Sequence, residues 1–367
     1  MFAGEQQAAA QAAMKRLIPA IILALSAAVA GCSEQPAAEL PALDANRSET
    51  SVSGISSGAY MAGQFQMAHA KDVVGAAIIA GGPYGCSESL YADVIPGPGT
   101  VLLNLTKAIN GCMQDALQAF GVPNPALLAQ RASRLAEHDR IDPIADVLTD
   151  RVYIFSGKND TTVVPAIVEA ARNFYVDVGV PDANILFVSD VPAGHAFVTD
   201  DRGPACDYTG KPYIVDCDYD QAGALLEQIY GQLKAPAERA AGRLMAFDQS
   251  VFTKGLSNHG LSDLGLVYVP QGCEADAGCR VHIAFHGCGQ NRTFVGDAFA
   301  RDSGFARWAD ANNIVVLFPQ TAATPVNPQG CWDWWGYTGA DYLTRKAPQI
   351  TAVYRMLERL SAPRTSS

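Results

Sequence analysis

Charged residues are scarce in this sequence, at 17% of 367, and the balance is negative, with a formal net charge of -11. No basic run occurs that could track a phosphate backbone or an anionic membrane, which excludes nucleic acid as a partner. Few charges beside 49% hydrophobic residues also exclude disorder and require a sizeable core. Neither a C-x-x-C pair nor an H-E-x-x-H motif is present, so no metal site is expected and no cofactor is called for. Histidine is rare, with six in the chain, so each one near a reactive side chain carries weight. There is no internal repeat and no second domain: Ala235-Pro236-Ala237 joins two halves that each carry only part of a sheet.

What is present begins with a leader. Met14-Lys15-Arg16 opens it, and an apolar run over 17–30 follows that is short for a membrane span. The run ends Val29-Ala30-Gly31-Cys32, which resembles a bacterial lipobox. Cys32 is therefore expected to be lipidated and to anchor the protein to a membrane; the competing reading is a plain signal peptide cut near the same place. On both readings residues 1–31 are leader and the protein is exported, as a lipoprotein of the outer membrane or periplasm or as a secreted protein. Residues 32–45, rich in Ala, Pro, Glu and Ser, read as a tether. With Cys32 set aside, eight cysteines remain, and an even number in an oxidising compartment points to four disulfides. Sequence proximity suggests Cys86–Cys112, Cys206–Cys217, Cys273–Cys279 and Cys288–Cys331.

The rest of the chain, 46–362, alternates strand and helix. Residues 50–53 read as a strand, 57–70 as a helix and 73–80 as a buried strand. A more helical stretch, 87–149, looks like a cap-like insertion. The rhythm resumes with strands at 151–156 and 185–191 and helices at 164–178 and 222–233. Strands at 264–270, 281–285 and 314–318 and helices at 305–312 and 347–360 complete it. In the last helix Ile350, Val353, Met356, Leu357 and Leu360 share one face. This pattern predicts an α/β fold with a mostly parallel sheet and helices on both faces.

Gly54-Ile55-Ser56-Ser57-Gly58 matches G-x-S-x-G between a strand and a helix. That context is a nucleophile elbow, in which a serine projects from a sharp turn at the sheet edge; the alternative is a structural turn rich in small residues. A serine nucleophile needs a base, and the base an orienting carboxylate. Asp160 follows the strand at 151–156 and His195 the strand at 185–191, in the order Ser, Asp, His expected of hydrolases with this fold. Asp160 could instead cap a helix and His195 could be a surface histidine; Asp190 and Asp200 compete for the carboxylate role. The backbone N–H of Ser57 is one expected oxyanion donor. The other should come from a His-Gly motif, found here as His286-Gly287-Cys288-Gly289, 230 residues after Ser56 rather than before it. That order requires a circular permutation, which is tolerable where chain termini lie close together.

Residues 51–61, Ser-Val-Ser-Gly-Ile-Ser-Ser-Gly-Ala-Tyr-Met, with Ala80-Gly81-Gly82-Pro83-Tyr84, resemble the single-domain poly(3-hydroxybutyrate) depolymerases of permuted topology. His286-Gly287-Cys288-Gly289-Gln290 and Gly330-Cys331-Trp332-Asp333-Trp334-Trp335 are similar to the same family and its feruloyl-esterase-like relatives. The resemblance spans about residues 46–361. It implies a circularly permuted α/β-hydrolase, a triad of Ser56, Asp160 and His195, and an oxyanion hole from the N–H groups of Ser57 and Cys288. Trp332 is expected in the core, whereas Trp334 or Trp335 could line an apolar groove for a polyester chain. The expected activity is acyl-enzyme hydrolysis of poly(3-hydroxybutyrate) or a similar polyester. The alternatives are another secreted carboxylesterase, acting on feruloyl or acetyl esters or on oxidised polyvinyl alcohol, and a lipid-anchored binding protein without turnover.

Overall fold

In the computed structural model, which describes residues 37–89, 105, 106 and 108–364, the apolar runs become strands. They are β1 (Thr50–Ile55), β2 (Val73–Ile79), β3 (Arg151–Phe155), β4 (Ile185–Val188), β5 (Phe197–Thr199), β6 (Ile214–Asp216), β7 (Arg243–Asp248), β8 (Leu264–Val269), β9 (Arg280–Phe285) and β10 (Ile314–Phe318). Eight of them form one sheet in the order β4-β3-β2-β1-β9-β10-β8-β7, and β5 pairs with β6 in a small separate sheet. Neighbours from β4 to β10 run parallel. β8 runs antiparallel to both β10 and β7.

Side-chain alternation splits the core between the two faces of this sheet. Val315 and Leu317 of β10, with Ile283 of β9, point to one face, while Val316, Phe318 and Ala284 point to the other. Helices α1 (Ser57–Ala68), α2 (Pro125–Glu137), α3 (Pro165–Val178), α4 (Gln221–Tyr230), α5 (Phe305–Asn312) and α6 (Pro348–Ser361) cover both. Phe65 of α1, Phe174 of α3 and Leu357 of α6 pack on the first face; Leu225 of α4 and Phe305 of α5 pack on the second. With both faces covered, β1 and β10 are buried along their whole length, which is why β10 reads as a continuous rather than an alternating apolar run. Two serines interrupt β1, and both are satisfied: Ser51 and Ser53 bond the two ring nitrogens of buried His282 on β9, at 2.6 and 2.7 Å.

The expected apolar face of α6 is fully buried. Several ends differ from expectation. α1 stops at Ala68, α4 at Tyr230, where Gly231 adopts a positive φ of 80°, and β4 at Val188. The expected tether reaches too far along the chain. Leu40 and Leu43 are buried, Asp248 donates its N–H to the Ala38 carbonyl, and Leu43 and Ala45 donate theirs to the Leu360 carbonyl. Composition suggested a linker there, but two leucines at the right spacing are enough to dock it. Of the segment expected to be a cap, α2 sends Leu128, Ala129 and Ala132 into the first core, while residues 90–104 and Cys32 lie outside the described residues. The structure pairs Cys86 with Cys112, Cys206 with Cys217, Cys273 with Cys279 and Cys288 with Cys331. No helix among the described residues is long and apolar enough to cross a membrane.

Candidate active site

β1 delivers Ser56 into a turn that few residues tolerate, with φ 57° and ψ -122°. The turn is held because Ser56 donates its N–H to Ile79 at 2.9 Å while its carbonyl accepts from Ala59 and Tyr60, which starts α1. The flanking glycines are required by packing. A Cβ at Gly54 would sit 2.1 Å from the Gly58 carbonyl oxygen, and one at Gly58 would sit 2.3 Å from the Phe285 oxygen. Gly58 thus lets α1 press directly against the end of β9.

The loops after β3 and β4 bring the other two candidates together. Asp160 Oδ2 lies 2.7 Å from His195 Nδ1, while Oδ1 accepts the N–H groups of Thr162 (2.8 Å) and Val163 (2.9 Å). Asp160 is therefore not a helix cap: α3 begins only at Pro165. A carboxylate held by two amides and facing Nδ1 keeps the proton on that nitrogen and leaves Nε2 as an acceptor. Of the competing carboxylates, Asp200 is occupied by Arg307, which donates to both of its oxygens at 3.0 Å, and Asp190 is exposed. His195 also donates its backbone N–H to Thr209 Oγ1 at 2.9 Å, inside the loop closed by Cys206–Cys217.

The segment after β9 meets this group from the other side, since β9 is the direct neighbour of β1. A Cβ at Gly287 would lie 3.4 Å from Ser56 Cβ. The Gly287 peptide groups are held at both ends. Its N–H donates to Gln290 Oε1 at 2.7 Å, and its carbonyl lies 2.8 Å from His286 Nδ1. Burial pushes the His286 imidazole down to about 4, so it is neutral. Nδ1–H donates to Gly287, and Nε2 accepts the Thr321 N–H at 3.2 Å. In a trans peptide the Cys288 N–H points away from the Gly287 carbonyl, hence away from His286. Ser56, His195, Gly287 and Cys288 line one cavity of about 160 Å³, together with Met113 and Thr162.

The sequence places Gln290 in the His-Gly segment without a role of its own and singles out neither Thr209 nor Met113. Thr209 and Met113 carry no motif and reach the site only through long-range contacts. The tryptophans depart from expectation. Trp332 is core, but Trp334 and Trp335 are buried too, at 5% and 2% exposure, and neither lines the cavity. Trp334 stacks on Tyr60 with ring centroids 4.4 Å apart, in a cluster with the Cys86–Cys112 disulfide. The Asp333 carboxylate accepts the N–H groups of Gly336 (2.7 Å), Tyr337 (3.0 Å) and Thr338 (2.8 Å) and so turns the tryptophans inward. An open aromatic groove made by these two residues is not what the fold builds. Among the described residues, no group of three or more His, Cys, Asp or Glu side chains is placed to hold a metal ion.

No family model matches the chain. It is 39% identical over 347 residues to a "Poly(3-hydroxybutyrate) depolymerase" of Delftia acidovorans, covering 92% of this chain but only 65% of that one. It is 31% identical over 350 residues to a "Polyhydroxybutyrate depolymerase" of Talaromyces funiculosus, covering 90% of this chain and 94% of the other. Among solved structures, the crystal structure of PHB depolymerase from Penicillium funiculosum superimposes with a TM-score of 0.77 at 30% identity, over 88% of this chain and 98% of that one. A serine-to-alanine variant of PHB depolymerase complexed with an R3HB trimer matches equally well.

Proposed function

This chain belongs to the poly(3-hydroxybutyrate) depolymerase family, and we propose that it hydrolyses the ester bonds of that polyester through an acyl-enzyme on Ser56. The observation that carries this reading is the 2.7 Å contact of Asp160 with His195 beside a cavity that His195 shares with Ser56 and Cys288. In the proposed reaction Ser56 Oγ attacks the ester carbonyl while His195 Nε2 takes its proton. The N–H groups of Ser57 and Cys288 receive the charge that develops on the carbonyl oxygen. His195 then passes the proton to the departing alkoxide, and water activated by the same nitrogen releases the acid.

Three further readings belong with this one. The sheet order, in which β9 follows β1 in space but precedes it in the usual order of an α/β-hydrolase, supports a circular permutation. Hydrogen bonds from Leu43, Asp44 and Ala45 to the carbonyls of Leu360 and Ala362 bring the two ends of the domain together, as such a rearrangement needs. Four disulfides suit a protein that folds outside the cytosol, and the sequence at 29–32 supports lipidation of Cys32 after removal of residues 1–31. Turbidity of a poly(3-hydroxybutyrate) suspension, read beside ferulate release from a model feruloyl ester, tests the substrate. Clearing of the suspension by the wild type and not by Ser56→Ala is expected; ferulate release without clearing contradicts the reading.

A further inference from the structure

We propose that Met113 sets the size limit on the acid part of the ester, excluding acyl chains more than a few carbons long from the cavity beside Ser56. The inference rests on the reading that Ser56 attacks the ester from that cavity. The space is small, about 160 Å³. Its reacting side cannot yield. Ser56 is fixed by the elbow, His195 by Asp160 and Thr209, and the Gly287 peptide by Gln290 and His286. Ile55, which also lines the space, is the last residue of β1 and is packed in the second core. The remaining large apolar lining among the described residues is the half-buried Tyr213, whose carbonyl accepts the Phe197 N–H and Gln290 Nε2, and the half-buried side chain of Met113.

The backbone behind Met113 is clamped on both sides. The preceding Cys112 is tied to Cys86, and its carbonyl accepts the Tyr60 hydroxyl. The Met113 carbonyl accepts the Val164 N–H at 2.9 Å. Gln114 Nε2 donates to the carbonyls of Thr161 (3.1 Å) and Thr162 (2.9 Å), in the loop that carries Asp160. A wall anchored in this way cannot swing out to admit a longer chain. Its thioether can adapt by rotation but cannot vanish. Removing that side chain therefore opens space within the cavity instead of letting the wall collapse inward.

p-Nitrophenyl esters of two acyl lengths probe this limit, because the leaving group is the same in both and only the acyl part differs. A pocket discriminates by roughly 10- to 200-fold per methylene. Met113→Ala is expected to raise the octanoate-to-butyrate ratio of kcat/KM by at least about tenfold, mainly through KM for octanoate. Met113→Leu, which keeps the volume, is expected to leave the ratio at the wild-type value. If Met113→Ala melts below the assay temperature, Met113→Val is read in its place with a rise of the same sign. A folded variant with an unchanged ratio overturns the inference while leaving ester hydrolysis at Ser56 intact. Failure of the wild type to cleave any ester overturns the proposed function and this inference together.

Discussion

Ser56 occupies a backbone conformation that costs a non-glycine residue on the order of 1–3 kcal/mol, against which its backbone bonds to Ile79, Ala59 and Tyr60 hold it. It persists because β1, α1 and the end of β9 leave the chain no other path: a Cβ at either flanking glycine would collide with backbone. Asp160 is similarly over-determined, with two amides and one imidazole on its carboxylate. Asp160→Asn keeps the shape of that arrangement but can present its amide N–H to Nδ1, which favours the wrong imidazole tautomer. A fall in kcat of about 10⁴, the size seen for the same substitution in a serine protease, is expected. Asp190→Asn and Asp200→Asn should stay near wild type, since one carboxylate is exposed and the other serves Arg307. Steady-state kinetics on a soluble ester with circular dichroism as the folding control checks the three together.

Among the elements, α1, α3 and the start of β3 are joined by a buried polar chain. Gln66 Nε2 donates to Asp150 Oδ2 at 2.6 Å and Tyr175 donates its hydroxyl to Gln66 Oε1 at 2.7 Å. Burial pushes the Asp150 carboxyl up to about 8, far above its usual value near 3.8. The folded state thus holds this proton more tightly than the unfolded state does. The resulting stability is full below pH ~4 and is lost as pH rises towards 8. The melting temperature of the wild type should therefore fall between pH 5 and pH 8 more steeply than that of Asp150→Asn; parallel curves would rule this out. At the same scale, what the sequence reveals is uneven. Strand and helix identities and the Ser, Asp and His positions are legible because each is written locally, as periodicity or as a residue at a strand end. The docking of residues 37–45 and the burial of Trp334 and Trp335 are not. Both depend on which distant surface receives them, and composition carries no record of it. Met113 and Thr209 escape for the same reason, being recruited through contacts with segments 14 or more residues away.

For the molecule as a whole, the sheet order places β1 between β2 and β9 and so assembles one site from segments that are remote in sequence. Ser56 comes from the first strand, Asp160 and His195 from the loops after β3 and β4, and Cys288 from the segment after β9, 232 residues beyond Ser56. The Cys288–Cys331 and Cys206–Cys217 disulfides brace the loops that converge there. In the proposed mechanism such an assembly reacts only when every part is in place, because a lone serine hydroxyl is a poor nucleophile. Covalent labelling with a fluorophosphonate, followed by peptide mass spectrometry, reads that reactivity at the residue itself. A single adduct on Ser56, absent from Ser56→Ala and formed far more slowly by His195→Ala, is the expected result. An ester-hydrolysing protein that labels on another residue, or that labels Ser56 as fast without His195, would contradict the central claim.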